Sequence, residues 1–187
     1  MLIGICGKQG SGKSTISKEL SKQIPNTIIL DIDKISHNIY NNKKCFEEVT
    51  NSFKNITTDN KIDRIKLGNI VFNSKEKMEL LTKCTWKYME EEIDKFISDN
   101  KDKNIILEWL LLHNTKYLDM CDIKILLDID QDIRMERIIK RDNISKERFL
   151  LRDNAAIPYD KNKFNYILKD NNLERIINDY EKSIISR

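Results

Sequence analysis

The residues best suited to chemistry stand together near the amino terminus. Gly7-Lys8-Gln9-Gly10-Ser11-Gly12-Lys13-Ser14 is a glycine-rich turn with the spacing G-x-x-x-x-G-K-[ST]. Successive backbone N–H groups in such a turn converge on phosphate oxygens, and the helix that follows adds the positive end of its dipole. Lys13 is spaced to reach the β- and γ-phosphates of a nucleoside triphosphate. Ser14 offers a hydroxyl to Mg²⁺, a hard cation that prefers oxygen ligands. The stretch predicts binding of ATP with Mg²⁺; the rival reading is an ordinary Gly/Ser turn between strand and helix.

Three further groups of residues could complete that chemistry. Asp31 and Asp33 end an apolar run, Ile28-Ile29-Leu30, and carboxylates at the carboxyl end of a parallel strand lie near the ligand crevice. Read as an extended strand end, the pair shares one side and could supply a metal ligand and a proton acceptor, or instead cap the next helix. Glu108 interrupts the apolar stretch Ile105 to Leu112, where a carboxylate is costly unless paired, so it either approaches Mg²⁺ or bonds nearby backbone N–H groups. Arg134, Arg137, Lys140, Arg141, Arg148 and Arg152 crowd the segment after Asp132, and Arg137 and Arg141 at i,i+4 share a helical face. Planar guanidinium forks suit phosphate oxygens, which makes this segment a lid; the alternative is an exposed helix paired to Glu136, Asp142 and Glu147.

These groups need a framework of buried parallel strands. Leu2 to Cys6, Ile28 to Leu30, Ile105 to Leu112, Ile123 to Ile129 and Tyr166 to Leu168 are the expected strands. Ser14 to Gln23 and the stripe Leu173, Ile176, Ile177, Tyr180 and Ile184 are expected helices. Residues 34–103 show helical periodicity and far exceed a simple parallel crossover, so they form a helical insertion that holds an acceptor. The fold class expected is α/β, a three-layer parallel sheet in one domain of residues 1–187, with that insertion and an Arg-rich lid at 132–158.

Composition removes several classes of function. The 187 residues carry a nearly balanced charge of +3, so no broad field for nucleic acid or anionic lipid follows. No apolar run approaches membrane-spanning length and no signal-peptide pattern is present, which predicts a soluble cytoplasmic protein, monomeric, without nucleic-acid or membrane partners. Cys6, Cys45, Cys84 and Cys121 are scattered without metal-ligand spacing, and His37 and His113 stand alone.

With those residues in place, the sequence resembles the dephospho-coenzyme A kinase family along almost its whole length. The blocks that carry the resemblance are Ile3 to Thr15, Asp31 to Lys34, Asp63-Arg64 with Leu67-Gly68 and Val71-Phe72, and Arg137, Arg141-Asp142 and Arg148. The resemblance implies a kinase that phosphorylates the ribose 3′-hydroxyl of dephospho-CoA to give CoA. It implies that ATP is bound by the turn from Gly7 through Thr15 and by Arg137, Arg141 and Arg148. Asp33 would activate the acceptor hydroxyl, Arg64 would bind the acceptor, and Lys13, Arg137 and Arg141 would stabilise the transferred charge. The chain departs from the family pattern at Trp86-Lys87, where a His-Pro pair is usual. It departs again at Trp109 to His113, which stand for Pro-Leu-Leu-x-Glu, and at Arg152, which stands for Gln. Another nucleoside or nucleotide acceptor is the second reading, and a non-catalytic ATP-responsive module the third.

Overall fold

In the computed structural model, residues 1–170 and 172–185 are described, with side chains up to residue 182. The chain divides into two compact units: Met1–Asp31 together with the chain from Lys101 onward, and Ile32–Asn100.

The first unit begins with β1 (Leu2–Gly7), α1 (Lys13–Gln23) and β2 (Thr27–Asp31). The second contains α2 (Ile32–Asn38), α3 (Lys43–Ser52), a short antiparallel pair β3 (Thr57–Thr58) and β4 (Lys61–Ile62), α4 (Arg64–Val71) and α5 (Lys75–Asp99). The first unit resumes with β5 (Asn104–Glu108), α6 (Lys116–Met120), β6 (Ile123–Leu127), α7 (Gln131–Asp142), α8 (Lys146–Asn154), β7 (Tyr166–Leu168) and α9 (Glu174–Ile185).

The strands of the first unit form one parallel sheet in the order β2-β5-β1-β6-β7. Central β1 is buried from Ile3 to Gly7, as its near-continuous apolar sequence requires of a strand covered on both faces. Ile3 and Ile5 point into a core with Ile16 and Leu20 of α1, Ile125 and Leu127 of β6, and Leu173 and Ile176 around the start of α9. Gly4 faces the opposite layer, where an added Cβ would lie 2.9 Å from Cys121 Sγ and 3.1 Å from Leu112 Cδ2. Helical or turn segments thus cover both faces of the sheet, the three-layer α/β arrangement expected of it. The Ile184 position of the expected stripe lies outside the described side chains.

Two expectations need correction. The strand expected through Leu112 stops at Glu108, in register with Asp31 of β2 and Ile5 of β1. Trp109 and Leu112 stay buried while the chain turns, Leu112 entering a 3₁₀ turn to Asn114, so unbroken hydrophobicity marked burial without marking extension. Likewise Asp31 is the last residue of β2 but Ile32 already starts α2, so Asp33 is in the first turn of a helix and the two carboxylates do not alternate along a strand.

In the second unit, caps mark the helix starts. The Asn42 side chain accepts from the Lys44 and Cys45 N–H groups, Asp63 from Ile65 and Lys66, and Ser74 from Lys77. Cys45 and Val49 of α3, Leu67 and Val71 of α4, and Cys84, Tyr88 and Ile93 of α5 supply its buried side chains. The β3–β4 pair was not foreseen; its tip residues Asp59 and Asn60 have positive φ, which these residue types tolerate.

Candidate active site

The glycine-rich turn runs from the end of β1 to the start of α1. Gly10 (φ 81°) and Gly12 (φ 91°) occupy left-handed backbone that side-chain-bearing residues avoid. A Cβ on Gly10 would also lie 2.7 Å from the Arg134 carbonyl oxygen of α7. Gly12 is the N-cap of α1, whose first turn holds no acidic residue, so no side chain there offsets the positive end of the helix dipole. Ser11 is buried, and its hydroxyl has no hydrogen-bond partner among the described residues.

The Lys13 ammonium arches back over the turn and donates to the Gly7 carbonyl at 2.9 Å and the Lys8 carbonyl at 3.5 Å. Ser14 donates its hydroxyl to Glu108 Oε1 at 2.5 Å. The β5 carboxylate therefore pairs, at the first turn of α1, with the same hydroxyl that the sequence offers to Mg²⁺. Thr15 is exposed on the next turn position.

The arginine-rich segment is two helices joined at Asn143, which closes α7 in left-handed backbone (φ 51°). Arg137 donates to the Gly10 carbonyl at 3.3 Å, so it reaches the turn. Arg141 forms a fork with its neighbour Asp142 (2.7 and 3.1 Å), and Asp142 also accepts from Gln9 at 3.3 Å. Arg148 is exposed on α8. Arg134 is a correction: it is buried and locked to Asp153, so it is not an exposed lid cation. Periodicity could have found this, since Arg134 and Ile138 are i,i+4 on the buried face of α7.

Asp153, which the sequence did not single out, lies beside the turn and contacts it through Lys8. Its carboxylate accepts from Arg134 through both oxygens (2.5 and 3.1 Å), from Gln131 at 2.8 Å and from Lys8 at 3.3 Å. Burial acts to raise its pKa, but the hydrogen bonds of Arg134 and Gln131, the Arg134 charge and Lys8 bring it down to about 2. Beside this network a cavity of about 440 Å³ opens at the carboxyl end of β6, lined by Lys8, Asp128, Asp130, Gln131, Tyr159 and Lys169 among others. Asp128 and Lys169 also border a broader depression of about 950 Å³ over β7 and α9, which no residue of the turn lines.

Departures from the family pattern are buried in two cases. Trp109 is 7% and His113 6% exposed. The His113 ring packs on Tyr159 with centroids 4.3 Å apart, and Nδ1 bonds to the Leu110 carbonyl at 3.2 Å. Burial pushes the His113 pKa below its ordinary value. Lys87 instead forms an exposed ion pair with Glu48 at 2.7 Å. Asp33 and Arg64 belong to the second unit, Asp33 in the first turn of α2 and Arg64 opening α4, both exposed.

A glycine-rich turn between the central strand of a parallel sheet and a helix, with a lysine folded over it and a serine at the helix start, defines a P-loop kinase fold. The sequence profile of the Dephospho-CoA kinase family matches residues 1–175. The chain belongs to that family, and is thus a member of a phosphotransferase family whose phosphoryl donor is ATP.

Among curated relatives, a dephospho-CoA kinase of Fusobacterium nucleatum is 35% identical over 79% of this chain and 76% of its own length. One of Carboxydothermus hydrogenoformans is 32% identical over 86% and 80%. Among solved structures, a dephospho-CoA kinase from Campylobacter jejuni matches with TM-score 0.62 and 25% identity over 99% of this chain and 95% of its own. A Thermus thermophilus protein matches in fold with TM-score 0.81 at 23% identity, covering 100% and 96%. No described helix is long and apolar enough to cross a membrane.

Proposed function

We propose that the chain transfers the γ-phosphoryl group of ATP to the ribose 3′-hydroxyl of dephospho-CoA, giving CoA and ADP. The observation that carries this reading is the arrangement of Lys13, Ser14 and Glu108 on the glycine-rich turn, in a chain that matches the family over nearly its full length. The turn from Gly7 to Thr15 holds the phosphates, its N–H groups and the α1 dipole meeting their charge. The buried Ser11 hydroxyl supports this, since a ligand oxygen would satisfy it.

In the reaction the acceptor oxygen forms a bond to the γ-phosphorus as the bond to the β–γ bridging oxygen breaks, and ADP leaves with that electron pair. Asp33 takes the proton of the acceptor hydroxyl, and Arg64 binds the acceptor. Lys13, released from the loop carbonyls, and Arg137 and Arg141 hold the equatorial oxygens of the transferred group. Arg148 contributes to ATP binding, and closure of α7 and α8 excludes water that would otherwise hydrolyse ATP.

A divalent cation fits the oxygen donors present. Ser14 and Glu108 pair a hydroxyl with a single carboxylate, the sparse protein contribution typical of Mg²⁺ bound chiefly by phosphates and water. When bound, Mg²⁺ neutralises charge on the β- and γ-phosphates.

The test is incubation of the purified protein with ATP, Mg²⁺ and dephospho-CoA, with ADP release followed and the product's phosphate position fixed by mass spectrometry and NMR. Formation of CoA, abolished in Lys13→Ala, is the expected result. Transfer to a different nucleoside or nucleotide in an acceptor panel, with none to dephospho-CoA, would overturn the acceptor assignment. Tight ATP binding without transfer to any acceptor would overturn the catalytic one.

A further inference from the structure

Two lid carboxylates touch consecutive residues of the glycine-rich turn. Asp142, at the end of α7, accepts from Gln9, and Asp153, near the end of α8, accepts from Lys8. The two contacts differ in setting. The first is exposed, whereas the second joins Lys8, whose side chain is 30% exposed, to an Asp153 side chain only 3% exposed.

The second contact is also part of a braced assembly. Arg134 donates through Nε to the Ile129 carbonyl at 3.0 Å and through Nη1 to the Gln9 carbonyl at 3.4 Å, while its Nη1 and Nη2 fork grips Asp153. Gln131 completes the Asp153 carboxylate, and Lys8 donates to both the carboxylate and the backbone carbonyl of Asp153, each at 3.3 Å. Every donor in the group therefore comes from α7 or from the turn itself, and Asp153 is the acceptor they share. Lys8 is one of the residues in the G-x-x-x-x-G-K-[ST] spacing whose type the spacing leaves free, and it lines the cavity at the carboxyl end of β6.

We infer that Asp153 is a positioning residue for nucleotide binding: its carboxylate fixes Lys8 against the cavity wall and, through Arg134, braces the turn at Gln9. A lysine side chain held by two acceptors presents its remaining N–H toward ligand with less rotamer entropy to lose on binding. The inference rests on the proposal that ATP occupies the turn, but not on the identity of the acceptor.

The test measures ATP affinity by calorimetry with no acceptor present, in the full chain. Asp153→Asn is expected to weaken ATP about tenfold, and Lys8→Met by a similar factor, since each loses one charge-assisted hydrogen bond. The pair acts along one path, so Asp153→Asn combined with Lys8→Met weakens ATP no further than the worse single variant. In steady-state assays Asp153→Asn raises KM for ATP while kcat stays within about threefold, a split that a loss of folded enzyme would not give.

Asp153→Asn leaves Arg134 buried beside a neutral group, so Asp153→Asn with Arg134→Gln serves as the neutral control. It is expected to regain thermal stability without regaining ATP affinity. Unchanged affinity in Asp153→Asn and Lys8→Met, or full recovery of affinity together with stability in the neutral control, overturns the inference. Failure of the unaltered protein to bind ATP would instead overturn the proposed function itself.

Discussion

Ser14 of α1 and Glu108 of β5 are joined by a hydrogen bond of 2.5 Å although the chain separates them by the whole Ile32–Asn100 unit. The contact follows from the parallel pairing of β1 with β5, which brings Glu108 level with Ile5 just before the turn. Glu108 is 6% exposed, and the carboxylate at that depth is matched by a hydroxyl that could equally serve a cation. Glu108→Gln keeps shape and a hydrogen-bonding oxygen while removing the charge. It is expected to lower kcat about a hundredfold and to raise the Mg²⁺ concentration needed for half-maximal rate, with little change in melting temperature. Titrations of rate against Mg²⁺ check this; an unaltered Mg²⁺ requirement would assign Glu108 a structural role.

For Asp33 the expectation concerns the acceptor and not the nucleotide. Asp33→Asn retains the first-turn position on α2 but cannot take a proton, so it is predicted to bind ATP normally and to lose about 10²- to 10⁴-fold in transfer rate. Calorimetry for ATP combined with single-turnover transfer makes the comparison. Weakened ATP affinity with an unchanged transfer step would remove the base role.

Gly10 packs directly against α7. A methyl group there meets the Arg134 carbonyl at 2.7 Å and Ile138 Cγ1 at 2.9 Å, in backbone at φ 81°. Gly10→Ala therefore strains the turn in two independent ways, and is predicted to destabilise the protein by about 1–2 kcal/mol and to weaken ATP more than it alters binding of the acceptor. Urea unfolding and separate KM values test it. Wild-type stability would mean that the turn relaxes away from α7 at little cost.

Much of the sheet was legible because its strands read as short apolar runs: Leu2 to Cys6 lies in central β1, buried from Ile3 onward, whereas Tyr166 to Leu168 is an apolar edge strand that leaves Ile167 exposed. The turn was legible because Gly10 and Gly12 announce a backbone geometry. The same hydrophobic criterion misjudged Trp109 to Leu112, where a buried turn looks like a strand. Charge type alone could not sort the arginines of 132–158: Arg137 reaches the turn, Arg141 pairs with its neighbour, and Arg134 is buried against Asp153. Asp153 escaped notice because its partners Lys8, Gln131 and Arg134 are brought to it by tertiary packing, which no local spacing encodes.

The same Asp153 cluster sets an acid limit on stability. The carboxyl stands at about 2 in the folded protein against an ordinary 3.8, so between those values the unfolded chain binds a proton that the folded chain does not. Stability from this group is therefore fully present above pH 3.8 and lost as pH falls through about 2, a change of roughly 2 kcal/mol. His113, whose pKa is held below 6.5, also makes acid unfavourable, but over the window beneath 6.5 and equally in any variant that keeps it. The difference in unfolding free energy between the wild type and Asp153→Asn isolates the carboxyl. It is expected to be about 3–5 kcal/mol near neutrality, where Asn leaves the Arg134 charge buried, and to shrink by roughly 2 kcal/mol between pH 4 and pH 2. Urea titrations across that range read the difference directly, and a constant gap would show that Asp153 titrates alike in the folded and unfolded chain.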